Sequence, residues 1–303
     1  MPLHSEIARI VSQIPPAETT PPDPRILRES EAAQVRPMPE RLPVHHVENI
    51  DADSVPVRVY TPEEGDSFGV IVYFHGGTFF SGSLDTHDAV ARHLAVASGM
   101  KVVSVGYRLA PEHPYPAGLD DCYQAVKWVV DNREDLSWNG RVLAVAGDGS
   151  GGNFAATVTA RAHDEGFDHI THQVLYYPSV DLDFDRERWP SLSENAEGYG
   201  LEYNGLQPFN SHYLDSGADP ADPLVSPIKR GDFSGLPKAL VITAGYDPLR
   251  DEGEAYAEKL RDAGVPTTLH RYSSANHGFV ANFFWLPEFQ EVFHETAEFL
   301  NTR

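Results

Sequence analysis

Three stretches of the sequence combine residue types suited to acyl chemistry. The first is His75-Gly76-Gly77-Thr78-Phe79-Phe80, directly after an apolar run at 70–74. Adjacent glycines let successive backbone N–H groups turn toward one point, which a Cβ would hinder. Aimed at a developing oxyanion, each such donor lowers the barrier by roughly 3–4 kcal/mol. Gly76, Gly77 and Thr78 are therefore candidate oxyanion donors, with a plain Gly-rich turn as the bland alternative. The second stretch is Val145-Ala146-Gly147-Asp148-Gly149-Ser150-Gly151-Gly152-Asn153-Phe154, a small-residue turn leading straight into a helix. That is the layout of an elbow of the form G-x-S-x-G, which lifts a nucleophile above a sheet. A phosphate loop has a similar outline, but the Lys of G-x-x-x-x-G-K is absent. The third is a pair. Tyr246-Asp247-Pro248-Leu249-Arg250-Asp251 follows the run 239–243, and Asn276-His277-Gly278-Phe279 follows 267–272. An acid that orients and stabilises an imidazole is the arrangement that general-base catalysis needs. The chain has 14 histidines; position just past the last strand, with Gly following, sets His277 apart.

The elements that must hold these residues are short continuous apolar runs at 70–74, 102–105, 142–146, 174–177 and 239–243. Continuous apolarity suits strands buried on both faces of a parallel sheet. Helical patterns at 85–98, 117–132, 150–164 and 251–263 separate them. A last strand at 267–272 precedes a C-terminal helix at about 287–300. Residues 45–50 and 55–60 alternate like an antiparallel hairpin turning near 51–53. Such alternation defines an α/β fold with helices on both faces, whose ligands bind beyond the carboxyl ends of the strands. Two segments break the rhythm. The first forty residues are Pro-rich and charged, with one amphipathic helix at 3–14. Residues 178–237 show no clear buried strand but are rich in Pro and aromatics, including Trp189, Tyr199, Phe209 and Tyr213. Long segments of this kind are often lids; a structural insertion is the alternative.

Composition narrows the function classes. The 303 residues carry 23 Lys+Arg against 45 Asp+Glu, a net charge of −22. Nucleic acids and anionic membranes demand a basic face, so neither is expected as a partner. Cys122 is the single cysteine, which rules out an internal disulfide and zinc sites built on Cys pairs. No apolar run approaches the ~18 residues of a membrane span. The first residues lack the basic-then-apolar pattern of a secretory signal, so the expected location is cytoplasmic.

Taken in order, the motifs resemble the hormone-sensitive-lipase group of α/β-hydrolase esterases. The resemblance runs from about residue 44 to the end. It is carried by His75-Gly76-Gly77, Tyr107-Arg108-Leu109-Ala110-Pro111-Glu112, the elbow, Asp247-Pro248-Leu249-Arg250-Asp251 and His277-Gly278-Phe279. It implies an α/β-hydrolase domain at 41–303 with a mostly parallel eight-stranded sheet whose first hairpin is antiparallel. It also implies a helical cap formed by residues 1–40 and an insertion at about 183–225. Asp247 would be the acid and His277 the base. The substrate would be a small-molecule ester with a small or medium acyl or an aryl group, and no metal or organic cofactor is implied. A homodimer through the last strand edge is a further implication. Candidate pocket walls are Phe79, Phe80, Phe279, Phe283, Tyr199 and Tyr213.

Two positions depart from the family pattern. Thr78 replaces the last Gly of the usual H-G-G-G, which keeps the backbone donor. The elbow matters more. The family reads G-D-S-A-G-G-N, and an ungapped match puts Gly149 at the nucleophile position. Ser150 falls on the next residue, whose N–H joins the oxyanion hole. For Ser150 to be the nucleophile instead, the pattern would shift by one residue, and a side chain turns by about 100° per residue along a helix. Its hydroxyl would then point away from His277. The expected reading is a carboxylic ester hydrolase of the Ser-His-Asp acyl-enzyme type, largely inactive as written through a Ser→Gly change, natural or deliberate. The alternative is a non-catalytic small-molecule binder or receptor on the same fold, in which the retained Asp247 and His277 have no obvious use.

Overall fold

Each buried strand of this protein sends alternate side chains into two separate cores. In the computed structural model, which describes residues 1–35, 37, 41–215 and 217–302, the chain begins with α1 (Ser5–Val11) and α2 (Pro24–Ala32). The hairpin β1 (His46–Ala52) and β2 (Val55–Thr61) follows, then β3 (Phe68–Phe74), α3 (Asp88–Ser98), β4 (Lys101–Val105), α4 (Ala117–Asp131) and β5 (Trp138–Asp148). Next come α5 (Ser150–Asp164), β6 (His172–Tyr176), α6 (Ser191–Glu194), α7 (Tyr203–Leu214), β7 (Lys238–Tyr246) and α8 (Arg250–Asp262). The chain closes with β8 (Thr267–Asn276), α9 (Phe279–Asn282) and α10 (Pro287–Asn301).

The strands form one eight-stranded sheet in the order β1-β2-β4-β3-β5-β6-β7-β8. It is mixed: β2 is antiparallel to both β1 and β4, and the pairs from β4 to β8 are parallel. Every residue of β3 is buried. Val70, Val72 and Phe74 pack on one face with α4 and α5 residues such as Val126 and Ala155. Ile71 and Tyr73 pack on the other with Leu94 of α3 and Val292 of α10. This double burial is the physical source of the unbroken apolar runs.

Three differences from the sequence expectations bear on the site. β5, β7 and β8 extend further toward their carboxyl ends than the apolar runs do, so Asp148 ends β5 and His277 leaves β8 directly. The N-terminal helix is shorter than 3–14 and stops at Val11, short of Pro15-Pro16, residues that disfavour helix at their own and the preceding position. α2 was hidden by the Pro-rich composition. Asp23 caps it, its Oδ1 accepting from the Arg25 and Ile26 amides at 2.9 and 3.3 Å, and Pro24 takes the first turn, where a missing N–H costs nothing.

Candidate active site

The elbow joins β5 to α5 at Gly149, whose φ of 54° and ψ of −115° leave the ordinary regions. The turn is pinned from several sides. The Gly149 N–H donates to Tyr176 O at 3.0 Å, and Gly149 O accepts from the Asn153 and Ser179 amides at 3.1 Å each. The glycine two residues further on allows the close approach of α5: a Cβ at Gly151 would lie 2.0 Å from Phe74 O. A Cβ at Gly149 meets different surroundings. It would sit 3.4 Å from His277 Nε2 and 3.8 Å from Cε1, with nothing else within 4 Å beyond the adjoining residues. Gly149 thus faces the imidazole.

That imidazole is held by Asp247, whose Oδ2 lies 2.8 Å from Nδ1. The Asp247 carboxylate is fully buried, and its Oδ1 accepts the Leu249 amide at 2.8 Å. Asn195 of the 178–237 segment donates to Asp247 O at 3.0 Å. Burial works against the imidazolium, but the charge and hydrogen bond of Asp247 outweigh it and raise the His277 pKa above its ordinary 6.5. Ser150 points elsewhere. Its Oγ accepts the Phe79 amide at 3.3 Å, on the oxyanion-loop side. As the first residue of α5, its own N–H lacks an intrahelical acceptor and sits at the positive end of the helix dipole.

Among the described residues the Gly77 and Thr78 amides have no acceptor in the protein. Thr78 (φ 49°) and Phe79 (φ 66°) both lie in the left-handed region, a strained position for a β-branched side chain. The loop is therefore buttressed. Asp148 Oδ1 accepts the Gly76 amide at 2.9 Å and the Tyr73 hydroxyl, while His87 Nε2 stands 3.6 Å from Oδ2. Burial would raise the Asp148 pKa; His87 and the Tyr73 hydrogen bond hold it below the usual carboxylate range instead. The His75 ring stacks on Tyr107, and burial beside His87 pushes its pKa down to about 3, so it is neutral.

α2 grips the same loop from outside. Arg28 donates to Phe80 O and Ala110 O at 2.7 Å each and pairs with Glu112 at 2.9 Å. Glu31 accepts from Ser81 Oγ and the Gly82 amide, both at 3.0 Å. Sequence reasoning missed Asp148, Tyr73, His87, Arg28 and Glu31 as supports. Asp148 lay inside a recognised motif, and the Asp23-Pro24 cap signal could have revealed α2.

Gly76, Gly77, Thr78, Gly149, Ser150 and His277 all border one cavity of roughly 1100 Å³. Its apolar walls include Leu27 of α2, Leu206 and Phe209 of α7, and Phe283 and Trp285. Of the aromatics expected as walls, Phe283 alone borders the cavity. Phe79 stacks on Tyr213 with centroids 4.0 Å apart, and Phe80 packs near His212 at 4.8 Å, so both fasten the loop to α7. Phe279 is buried between Tyr177 and Phe289, and the Tyr199 ring lies against Tyr246. These five are buttresses because the cavity ends at backbone and at cap side chains above them.

Strand order, elbow and the His–Asp pair at the carboxyl edge of the sheet define an α/β-hydrolase. A family model described as alpha/beta hydrolase fold matches residues 71–281. Carboxylesterase NlhH of Mycobacterium tuberculosis is 42% identical over 257 residues, covering 82% of this chain and 79% of that protein. An arylesterase of Saccharolobus solfataricus is 38% identical over 229 residues, covering 75% and 74%. The solved structure of a hyperthermophilic esterase from Pyrobaculum calidifontis superposes with a TM-score of 0.89 at 40% identity, covering 99% of this chain and 98% of that one. The chain belongs to the hormone-sensitive-lipase-like group of α/β-hydrolase carboxylesterases.

Proposed function

We propose that this chain is an ester hydrolase framework for small or medium acyl or aryl esters, largely inactive in two-step acyl transfer because Gly149 stands where a serine would attack. The observation that carries the reading is the 3.4 Å separation between a Cβ built on Gly149 and His277 Nε2. A serine there brings its hydroxyl within reach of the imidazole, which takes the proton while Asp247 stabilises the cation. Amides of Gly77, Thr78 and Ser150 receive the oxyanion; the Gly76 amide, expected to join them, is spent on Asp148 Oδ1 at 2.9 Å. Residues 1–40 and about 183–225 act as the cap over the cavity. Carboxylates bordering that cavity (Glu31, Asp85, Asp88, Asp148, Glu202) outnumber its one guanidinium, Arg41, which favours a neutral ester over an anionic substrate. Gly149 also fits a non-catalytic binder on this fold. The intact Asp247–His277 pair and the unpartnered loop amides favour the hydrolase.

The test is p-nitrophenyl ester hydrolysis across acyl lengths, on this chain and on Gly149→Ser. Loss of a triad serine leaves about 10³–10⁴-fold over water, so Gly149→Ser is expected to raise kcat by several orders of magnitude. Ser150→Ala in that background keeps turnover, because position 150 contributes its N–H. An acyl-enzyme burst from the unaltered chain, abolished by Ser150→Ala, would overturn the reading.

A further inference from the structure

A serine side chain is two heavy atoms, CH₂ and OH, and at Gly149 the space for them is open. The backbone has not relaxed to fill it. The elbow keeps its φ of 54°, held by hydrogen bonds to Tyr176, Asn153 and Ser179. Apart from the adjoining residues Asp148 and Ser150, only imidazole atoms lie within 4 Å of where the Cβ would be, Nε2 first. Nδ1 is committed to Asp247 at 2.8 Å, so with Nδ1 protonated the Nε2 lone pair faces this space. The amides of Gly77 and Thr78 have no acceptor among the described residues, and Gly149 itself borders the cavity. Among the described residues Ser150 Oγ makes no hydrogen bond to His277; it accepts the Phe79 amide instead.

From this geometry we infer that the site takes its nucleophile from solution: water or a small primary alcohol, seated against Gly149 on the cavity side and within hydrogen-bond reach of His277 Nε2, receives the acyl group in a single displacement. The inference rests on the ester-hydrolase reading above. A general base must stand about 2.6–3.2 Å from the oxygen it deprotonates; a free oxygen keeps van der Waals distance from Gly149 Cα, so it sits further from the backbone than a tethered serine hydroxyl and meets Nε2 from the cavity that Gly149 and His277 both border. In the step, the nucleophile oxygen bonds to the ester carbonyl carbon and its proton passes to Nε2. The carbonyl π pair becomes an oxyanion at the loop amides. Collapse of the adduct breaks the bond to the leaving alkoxide, which takes the proton back from Nε2. Water yields acid and alcohol; methanol yields the methyl ester. No covalent enzyme intermediate forms. The proximity that a tethered serine provides is lost, so the rate is slow and depends on the nucleophile's concentration. Retention of base, acid and oxyanion donors around a glycine then has a chemical use.

The experiment follows p-nitrophenyl butyrate with the unaltered chain in rising methanol, measuring p-nitrophenol release and methyl butyrate formed, each corrected for buffer alone. The expected result is an enzyme-dependent rate with no burst, methyl butyrate rising linearly with methanol, and loss of that rate in His277→Ala. Gly149→Ala puts a methyl group into the space and is expected to cut the methanol-dependent rate by tenfold or more. A size series in the unaltered chain reports the same space without any substitution: methanol should exceed 1-propanol, and tert-butanol should give no product. Equal rates for Gly149 and Gly149→Ala, no size preference, or no methyl ester above buffer would overturn the inference. Gly149→Ser separates the two readings. If it turns over while the unaltered chain ignores methanol, the inference fails and the hydrolase reading stands. If it neither turns over nor forms an acyl-enzyme, the hydrolase reading itself fails.

Discussion

The His277 imidazole stands between two opposed influences. Burial disfavours its cation, while Asp247, in ion-pair contact at 2.8 Å, favours it and prevails, moving the pKa upward from 6.5. A general base works in its neutral form, so hydrolysis by Gly149→Ser should rise with pH through a midpoint above 6.5. The stability contribution runs the other way: it is fully present below the unfolded pKa and is lost as pH rises through the folded one. The pair therefore stabilises the fold most where it catalyses least. Asp247→Asn leaves burial opposed only by the weaker influence of the Asp148 charge. The midpoint should fall below 6.5 and kcat should drop by about 10⁴-fold, and a pH–rate profile of the double variant checks both. A midpoint that stays put would show that Asp247 does not set the imidazole's charge. His277 and Asp247 were legible in the sequence because each closes a strand and sits in a distinctive tetrad of residues. The aromatic walls were not, because side-chain direction on a loop follows backbone angles such as the positive φ of Thr78 and Phe79, which no periodicity encodes.

At the scale of elements, the central strands were readable because burial on both faces leaves no room for polar residues, as in β3. α2 was not, because it is short, none of its residues is fully buried, and the Pro-rich composition around it masks the Asp23-Pro24 start. Its attachment to the oxyanion loop rests on Arg28 and Glu31, through bonds to Phe80 O, Ala110 O, Ser81 and the Gly82 amide. An element with few apolar contacts opens at low free-energy cost. Because Arg28 and Glu31 bond to residues of that loop, displacing α2 would also release the support of the loop that carries the Gly77 and Thr78 amides. Replacing both Arg28 and Glu31 by Ala removes several hydrogen bonds of about 0.5–1.5 kcal/mol each. In the Gly149→Ser background, kcat should fall at least tenfold while KM for the acetate ester changes little. Amide exchange should accelerate in α2 and residues 77–82 and nowhere in the sheet. Unchanged exchange at the loop would show that α2 covers the site without shaping it.

The whole molecule carries a net charge of −22, and acidification might be thought to relieve its self-repulsion. Between pH 7 and 5, however, ordinary carboxylates stay ionised. The groups that titrate differently on unfolding are inside. Burial lowers His75 to about 3, and burial with the Lys238 charge lowers His172 to about 4; burial, with His294 nearby, also lowers His93. His75 and His172 bind a proton when unfolded at pH 5–6 but not when folded, and His93 is shifted in the same direction, so all three cost stability as pH falls below 6.5. Glu252 acts in the opposite sense. Full burial raises its pKa well above 4.5, so it holds its proton when folded and favours the native state in acid. His277, raised, is protonated in both states below pH 6 and contributes almost no slope there. His75 and His172 against Glu252 leave about one proton net taken up on unfolding, with His93 adding to it. The midpoint of thermal unfolding should therefore decline steadily from pH 6.5 to 5, well above the carboxylate range. His172→Gln removes one of the uncharged buried imidazoles, about the whole net proton, and should flatten most of that decline, measured by calorimetry in a pH series at constant ionic strength. A melting temperature that climbs as pH falls to 5 would mean that relief of charge repulsion, together with Glu252, outweighs the buried histidines.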